Sequence, residues 1–188
     1  MSGNIFFDEA DLAGRGQNVI IGKTVRIRYP DLVRLGNNVI IDDFTYISTA
    51  LECDDFVHIS AGCKLIGGRQ SRVRFGQFST LAPNVVIAAG SDDYVAGIAT
   101  PLVPRHLKGA VETGDITFGR HCIVGANSTV LPNVTFADGA CLGAQSLAKK
   151  DLEAWTLYAG VPARALRRRD QAGILALEEQ FWKESRDA

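Results

Sequence analysis

The chain has 188 residues, of which 46% are hydrophobic and 22% charged, and its formal net charge is −1. This length and composition are those of one ordinary globular domain, and the near-neutral charge argues against a general nucleic-acid binder. The four cysteines form no CxxC pair, which argues against a zinc site or a disulfide framework and favours a reducing, cytoplasmic compartment. The first residues show no signal-peptide pattern and no apolar run approaches about 18 residues, so we expect no membrane span.

Apolar residues recur every six positions along most of the chain. In the first half this column is Leu35, Ile41, Ile47, Cys53, Ile59 and Leu65, and later it is Phe118, Val124, Val130, Phe136, Leu142 and Ala148. A second column of small or apolar residues stands four positions after each, and the residues between are mostly polar, Gly, Asn or Asp. A period of six fits neither a helix nor a lone strand, but it fits a short strand followed by a turn. A β-sandwich is the competing interpretation, yet its strands usually run about 8–12 residues from turn to turn.

In chain order, the six-residue frame is interrupted and then ends. Residues 15–34 repeat weakly, and four extra residues predict a small surface loop at 67–71. Residues 88–115 lack the repeat altogether, and their apolar content predicts a long but packed loop. After Leu152 the chain leaves the coils, and residues 171–186 carry an apolar stripe with helical spacing. We expect this helix to cover the open end of the stack of coils.

The run from Ile123 to Arg168, which ends in AGVPARALRR, carries the most specific family resemblance. Over about residues 15–168 the chain resembles the hexapeptide-repeat acyltransferases, and in particular the sugar and lipopolysaccharide O-antigen acetyltransferases. The resemblance implies an all-β fold, a left-handed parallel β-helix with a long excursion loop and a C-terminal α-helix. It implies a β-helix domain at 1–168, with its loop at 88–115, followed by the helix at 169–188. It also implies a homotrimer with active sites between the subunits.

The family reaction moves an acyl group from coenzyme A to a hydroxyl or an amine. For this chain the resemblance implies acetyl-CoA as co-substrate and a sugar as acceptor, either nucleotide-linked or a surface-polysaccharide precursor, as in lipopolysaccharide biosynthesis. The acceptor would attack the thioester directly, which needs a base for its proton and a donor for the developing oxyanion. N-acetylation and O-acetylation both stay open.

The predicted catalytic residues are His58, Asp92 and Asp93. His58 holds the sixth place of its hexad in VHIS, so we expect it to face outward at a coil corner. Sugar acyltransferases of the family have a histidine in a similar setting in the cleft, and many O-acetyltransferases have one at the start of the long loop, where this chain has GSDDY. The two aspartates could therefore bind sugar hydroxyls, orient His58 or act as the base, which would require burial to raise the carboxyl pKa.

Coenzyme A is expected along one edge of the coils. Gly125-Ala126 and Gly143-Ala144 stand eighteen residues apart, so they should stack, and in the family the pantetheine arm runs along such a stack. Cationic residues towards the C-terminus suit the phosphates of coenzyme A. The residues predicted to bind it are Gly125, Ala126, Gly143, Ala144, Ser146, Lys149, Lys150, Arg164 and Arg167.

Two other functions compete with sugar acetylation. A γ-type carbonic anhydrase uses the same coil but needs three histidine ligands, two of them closely spaced, and His58, His106 and His121 offer no such pair, so no metal is expected. We interpret His121 as structural, while His106 lies on the long loop. A non-catalytic β-helix scaffold would lose the base and the coenzyme A residues. The GVPAR ending and Lys150 argue against it, and the missing loop histidine argues for it.

Overall fold

Short parallel strands stack in register to form a three-sided solenoid, the architecture predicted from the six-residue period. The computed structural model describes residues 4–187, so residues 1–3 and 188, which the predicted domain bounds include, lie outside the description. Short 3₁₀ turns occur at Glu9–Asp11, Pro30–Leu32 and Arg105–Leu107, and the helix α1 spans Gln171–Asp187. The strands are β1 (Gly14–Arg15), β2 (Ile20–Ile21), β3 (Arg26–Ile27), β4 (Val33–Leu35), β5 (Ile40–Ile41), β6 (Tyr46–Cys53), β7 (His58–Ile59), β8 (Lys64–Phe75), β9 (Thr80–Leu81), β10 (Val86–Ala88), β11 (Gly90–Ser91), β12 (Glu112–Thr113), β13 (Ile116–Phe118), β14 (Ile123–Val124), β15 (Thr129–Val130), β16 (Thr135–Phe136), β17 (Cys141–Leu142), β18 (Leu147–Ala148), β19 (Thr156–Gly160) and β20 (Ala163–Arg168).

The strands form three faces, which the chain visits in turn. Face 1 holds β2, β5, β7, β9, β14, β17 and β19, with β20 added antiparallel at its end. Face 2 holds β3, the first halves of β6 and β8, then β10, β15 and β18. Face 3 holds β1, β4, the second halves of β6 and β8, then β13 and β16. The long strands β6 and β8 bend around the corner between faces 2 and 3.

The apolar column of the repeat forms the core. On face 1, Ile41 pairs with Ile59 one coil later, so each inward side chain stacks directly on the next, and both are fully buried. On face 3, the rings of Phe75, Phe118 and Phe136 follow one another with 4.6 Å between successive centroids. Burying one such side chain is worth about 1.5–3 kcal/mol. These buried side chains stand six residues apart within each coil, which is why the apolar column of the sequence has a period of six.

The corners between faces use left-handed backbone. Asn38, Asn84 and Asn127 have φ angles of 55°, 60° and 57°, in a region that asparagine tolerates better than most residues. Phe56 and Phe78 take the same kind of position, each with φ of 60°, which is uncommon for a bulky side chain. Both phenylalanine rings contact the C-terminal helix, so the corner conformation presents aromatic surface to that helix.

Two insertions project from the corner between faces 2 and 3. Residues 69–71 bulge from β8, because two consecutive residues of β6 pair with Gly68 and Arg72. The predicted surface loop at 67–71 is therefore a bulge within one continuous strand. The loop predicted at 88–115 leaves after β10 and rejoins at β13, and β11 and β12 pair antiparallel at its neck.

The helix α1 lies along the corner between faces 3 and 1, and the expectation that it covers the open end of the stack was wrong. The ring of Phe181 is 5.1 Å from that of Phe56 and 5.7 Å from that of Phe78, centre to centre. Phe56, Phe78 and His121 occupy this corner on three successive coils. The outward aromatic rings at this corner form an apolar surface, and the apolar face of α1 packs against it. The helix therefore lies along the side of the solenoid.

Glu178 fixes α1 to the coils through polar contacts. Its carboxylate forms hydrogen bonds with His121 Nε2 at 2.8 Å and Trp182 Nε1 at 3.2 Å, and it pairs with Arg120. Burial raises the pKa of Glu178, but these hydrogen bonds and the charge of Arg120 outweigh burial, so the pKa is lowered overall. His121 therefore has the structural role that the sequence predicts.

We expect Glu178→Ala to destabilise the fold by about 2–3 kcal/mol, because the largely buried His121 ring loses its carboxylate partner. Denaturant unfolding followed by tryptophan fluorescence measures this. Because the pKa of Glu178 is lowered in the fold, its contribution is complete above its usual value of 4.5 and is lost as pH falls towards the folded-state value. Glu179→Ala, at an exposed neighbour, is the matched control. Equal destabilisation by both variants would contradict the assigned contact.

Candidate active site

A groove of about 730 Å³ lies between the start of the long loop and face 2. Residues 90–97 of the loop form one wall. The floor is formed by outward side chains of face 2, which are Ile66, Val86, Ala88, Thr129 and Leu131. The groove therefore combines an apolar floor with a wall that carries two carboxylates, those of Asp92 and Asp93.

Asp93 accepts hydrogen bonds that join two parts of the long loop. Its Oδ1 accepts hydrogen bonds from the backbone N–H groups of Val95 at 2.8 Å and Ala96 at 3.1 Å, and its Oδ2 accepts one from Ala110 at 2.9 Å. These bonds, from Val95 above all, lower the pKa of the Asp93 carboxyl. A carboxylate base would need a raised pKa, which these bonds do not give, and the catalytic role predicted for Asp93 stays a prediction. In the subunit its carboxylate holds the two sides of the loop together.

Asp92 makes a second link across the loop. Its Oδ1 is 2.9 Å from Lys108 Nζ, and the Lys108 side chain is largely buried. The other carboxylate oxygen of Asp92 has no hydrogen bond within residues 4–187. Because Asp92 lines the groove, that oxygen is available to a ligand, in keeping with the predicted contact to sugar hydroxyls.

His58 lies on a different face from the two aspartates. It begins β7 on face 1, and its side chain is 43% exposed. The expected corner position was wrong, because the sixth place of this hexad is the first residue of a strand. The groove under the loop does not include His58, so a single chain does not bring it together with Asp92 and Asp93.

Sequence reasoning missed the partner of His58. Nε2 of His58 is 2.8 Å from Oδ2 of Asp42, which lies 16 residues earlier on the preceding coil. The signal was available, because Ile40 pairs with His58 and Asp42, directly after that strand, is the next outward residue. A carboxylate that orients an imidazole and stabilises its charged form is the usual support of a histidine base. With Nε2 turned to Asp42, Nδ1 is the nitrogen left for a substrate.

The small residues predicted to stack on one edge do so. Gln145 donates its backbone N–H to the carbonyl of Ala126 at 2.9 Å. A Cβ atom at Gly125 would lie 2.3 Å from the backbone nitrogen of Ala144, and one at Gly143 would lie 3.1 Å from the next coil. Glycine at position 125 is therefore required by the packing of the coils themselves, whatever else this edge binds.

Two residues predicted to contact coenzyme A lie elsewhere. Ser146 is buried, and its hydroxyl accepts a hydrogen bond from the Gly160 N–H at 2.9 Å and donates one to the Ala144 carbonyl at 3.2 Å. Its side chain closes the last coil and is not available to a ligand, which corrects the prediction. Arg167 lies towards the far end of β20, where it lines a separate groove with Ile174 of α1. It therefore does not lie with the other predicted cations.

The remaining predicted cations, Lys149, Lys150 and Arg164, line one pocket of about 310 Å³, the basic pocket, together with Asp151 and mostly apolar residues. The two lysines follow β18 and the arginine lies in β20. Leu131, on the floor of the groove, donates its backbone N–H to the carbonyl of Ala148 at 2.9 Å. The groove floor at Leu131 is therefore bonded to Ala148, a residue that also lines the basic pocket, so the two cavities are neighbours.

The thiols and the metal-ligating side chains of residues 4–187 form no separate centre. All four cysteines are free, and burial raises the pKa of Cys63 to about 11 and that of Cys122 to about 12, so both thiols behave as small apolar side chains. Across residues 4–187, no three His, Cys, Asp or Glu side chains are grouped so that they could hold a metal ion. The described part of the chain has no helix with the length and apolar character needed to cross a membrane.

Comparison with known proteins places this geometry in a family. No protein-family profile matches the chain. A dTDP-4-amino-4,6-dideoxy-D-glucose acyltransferase from Escherichia coli is 33% identical over 171 residues, which cover 88% of this chain and 86% of that protein. The structure of AntD, an N-acyltransferase from Bacillus cereus, in complex with dTDP and 3-hydroxybutyryl-CoA matches with a TM-score of 0.89 and 32% identity, over 97% of this chain and 99% of AntD.

A variant of AntD in complex with dTDP-4-amino-4,6-dideoxyglucose and coenzyme A matches equally well, with a TM-score of 0.89 over 96% of this chain. The chain therefore belongs to the hexapeptide-repeat acyltransferases, whose coils form a left-handed β-helix. It is a coenzyme A-dependent acyltransferase. This confirms the fold class and the enzyme class predicted from the sequence, and it does not favour the non-catalytic scaffold.

Proposed function

We propose that the enzyme transfers the acetyl group of acetyl-CoA to the amine of a nucleotide-linked amino sugar, a precursor of surface polysaccharide. The observation that carries this proposal is the similarity, over nearly the whole chain, to an N-acyltransferase whose complex contains dTDP-4-amino-4,6-dideoxyglucose and coenzyme A. The groove under the loop offers a place for the sugar, and the basic pocket beside it offers a place for the phosphates of coenzyme A.

In the proposed reaction the acceptor amine attacks the thioester directly. Its nitrogen forms a bond to the acetyl carbonyl carbon, the carbon–sulfur bond breaks, and coenzyme A leaves as the thiolate. His58 takes the proton that the amine loses and returns it to the thiolate, while Asp42 holds the imidazole in place. Asp92 accepts hydrogen bonds from the sugar, and Asp93 keeps the loop closed over it.

We propose that the active unit is a homotrimer in which face 1 of one subunit lies against the loop of the next. His58 is on face 1 and Asp92 is on the loop, so side-by-side packing brings the base to the groove. Tyr94, Val95 and Leu102 on the loop are 93%, 96% and 90% exposed, and a group of exposed apolar side chains is typical of an interface. Light scattering after size-exclusion chromatography should give the mass of three chains.

We place the reaction in the cytoplasm. The support is chemical, because all four cysteines are free and unpaired thiols are typical of reducing compartments. Acetyl-CoA and nucleotide-linked sugars are also cytoplasmic metabolites.

Thiol release from acetyl-CoA tests the proposed function. The acceptors are dTDP-4-amino-4,6-dideoxyglucose, a dTDP-sugar with hydroxyls in place of the amine, and free sugars. The proposal expects turnover that requires both the amine and the nucleotide. Equal turnover on the hydroxyl sugar would change the assignment to O-acetylation, and the absence of turnover on every nucleotide-linked sugar would overturn it.

Replacing Lys150 or Arg164 by alanine should raise KM for acetyl-CoA by about tenfold, because each removes a charge-assisted bond to a phosphate. We expect kcat at saturating acetyl-CoA to change little. Lys183→Ala, at an exposed lysine of α1 outside the pocket, is the control. An unchanged KM for acetyl-CoA in both variants would show that coenzyme A does not occupy the basic pocket.

A further inference from the structure

Face 2 carries positive charge at both of its ends, and coenzyme A accounts for only one of them. The basic pocket lies at the C-terminal end of the face. The first coils present the exposed cations Arg26 and Arg28 on this face, and two more exposed cations, Lys64 and Arg69, belong to β8, the strand that also carries Ile66 of the groove floor. The apolar floor of the groove lies between the two ends. The second group of cations therefore needs its own explanation.

Two of these cations lie against the ring of Tyr29. The guanidinium carbon of Arg69 is 5.0 Å from the centre of the Tyr29 ring, and that of Arg28 is 5.5 Å from the same centre. Asp31 pairs with Arg69 at 2.6 Å, and Arg28 has no ion pair within residues 4–187. Both terminal nitrogens of Arg69 donate to the Asp31 carboxylate, so Arg69 is held in place before any ligand arrives, and the uncompensated positive charge of the cluster is that of Arg28.

The cluster lies in line with the groove. Arg28 follows β3, and Ser48, Ile66 and Ala88 hold the corresponding position on the next three coils. With neighbouring strands about 4.8 Å apart, Arg28 lies about 10 Å along face 2 from the near edge of the groove floor at Ile66 and about 15 Å from Ala88. Arg69 is nearer, because its bulge leaves β8, the strand that pairs with β10. This separation suits a sugar ring joined to a diphosphate.

We infer that Arg28 and Arg69, positioned by Tyr29, bind the diphosphate of a nucleoside diphosphate-linked acceptor whose sugar lies in the groove. The inference rests on the proposed function and adds to it a binding site for the nucleotide. Guanidinium groups bind phosphate oxygens through paired hydrogen bonds, and two of them on one side of a diphosphate satisfy both phosphates. The acceptor and acetyl-CoA then approach the groove from opposite ends of face 2, so neither blocks the other.

The test uses Arg28→Ala and Arg69→Ala in the full-length enzyme, with two measurements. The first is KM for dTDP-4-amino-4,6-dideoxyglucose at saturating acetyl-CoA, and the second is the Kd of dTDP by calorimetry. We expect both constants to rise at least about tenfold in each variant, with KM for acetyl-CoA unchanged.

Arg74→Ala is the matched control. Arg74 lies in the same strand as Arg69, its side chain is 52% exposed against 53%, and it pairs with Glu52 at 2.7 Å. It belongs to face 3, so its replacement should leave both constants at wild-type values.

Three outcomes would overturn the inference. They are acceptor KM and dTDP Kd within about twofold of wild type in both variants, a rise in KM for acetyl-CoA in place of acceptor KM, and absence of dTDP binding to the wild-type enzyme. If the amino sugar is not acetylated, dTDP binding still decides the matter. Binding that weakens in Arg28→Ala supports the nucleotide site although the proposed acceptor is wrong, and binding that does not weaken overturns the site.

Discussion

Replacing His58 by alanine is expected to lower kcat by about 10²- to 10⁴-fold, the range that a positioned general base contributes. The KM values for acetyl-CoA and for the amino sugar should stay near wild type, because a general base takes the proton in the transition state and adds little to the binding of either substrate. Steady-state thiol release at saturating concentrations of both substrates measures the effect. Single-turnover experiments would then show whether the chemical step is the one that slows.

Two companion variants make the His58 result specific. Asp42→Asn keeps the size of the side chain but removes the charge that faces Nε2 at 2.8 Å, so kcat should fall by about tenfold. His106→Ala removes an exposed histidine from the long loop and should leave kcat unchanged. Wild-type kcat in His58→Ala would show that the base lies elsewhere, and a large loss in His106→Ala would direct attention to the loop.

Replacing Asp93 by alanine should lower kcat/KM for the amino sugar by about 10²-fold, through loss of geometry. The variant removes the acceptor of three backbone hydrogen bonds that join residues 95 and 96 to residue 110. Faster cleavage within the long loop by a small amount of protease, at unchanged stability of the coils, is the matching structural result. Because the pKa of Asp93 is lowered, the link is present at neutral pH and is lost as pH falls through the folded-state value, which lies below the usual one.

Glu112→Gln provides the control for Asp93. Glu112 is an exposed carboxylate at the other end of the same loop and accepts one hydrogen bond, from the Asn133 amide. Its replacement should leave both activity and proteolysis near wild type. Loss of activity in Asp93→Ala without faster proteolysis would argue that Asp93 acts on the substrate and does not serve to hold the loop.

The fold could be predicted because one rule generates most of it. Every sixth residue returns to the interior, so columns such as the one through Ile41 and Ile59 identify strands, faces and stacking at once. The docking of α1 could not be predicted in the same way. The helix contacts Phe56 and Phe78, which are outward residues of the coils. The insertion at 69–71 breaks the regular spacing between these two residues, so the sequence does not show that they occupy the same corner.

The grouping of the predicted cations could be foreseen where neighbours in sequence are neighbours in space. Lys149 and Lys150 are adjacent in the chain, and the family ending places Arg164 beside them. The loop contacts of Asp93 were missed, because its partners are backbone N–H groups, which leave no trace in the choice of side chains. The link between Asp42 and His58 was missed, because two outward positions on successive coils meet only once the register is known.

The position of α1 has a consequence for how the molecule comes apart. A solenoid is stabilised mainly by contacts between adjacent coils, so its end coils can open one after another while the rest stays folded. Here the helix that follows the last coil runs back along the flank and contacts three earlier coils through Phe181 and Glu178. The C-terminal coils, which carry the basic pocket, therefore cannot fray until that helix detaches from the middle of the stack. One helix converts a linear array into a single cooperative unit.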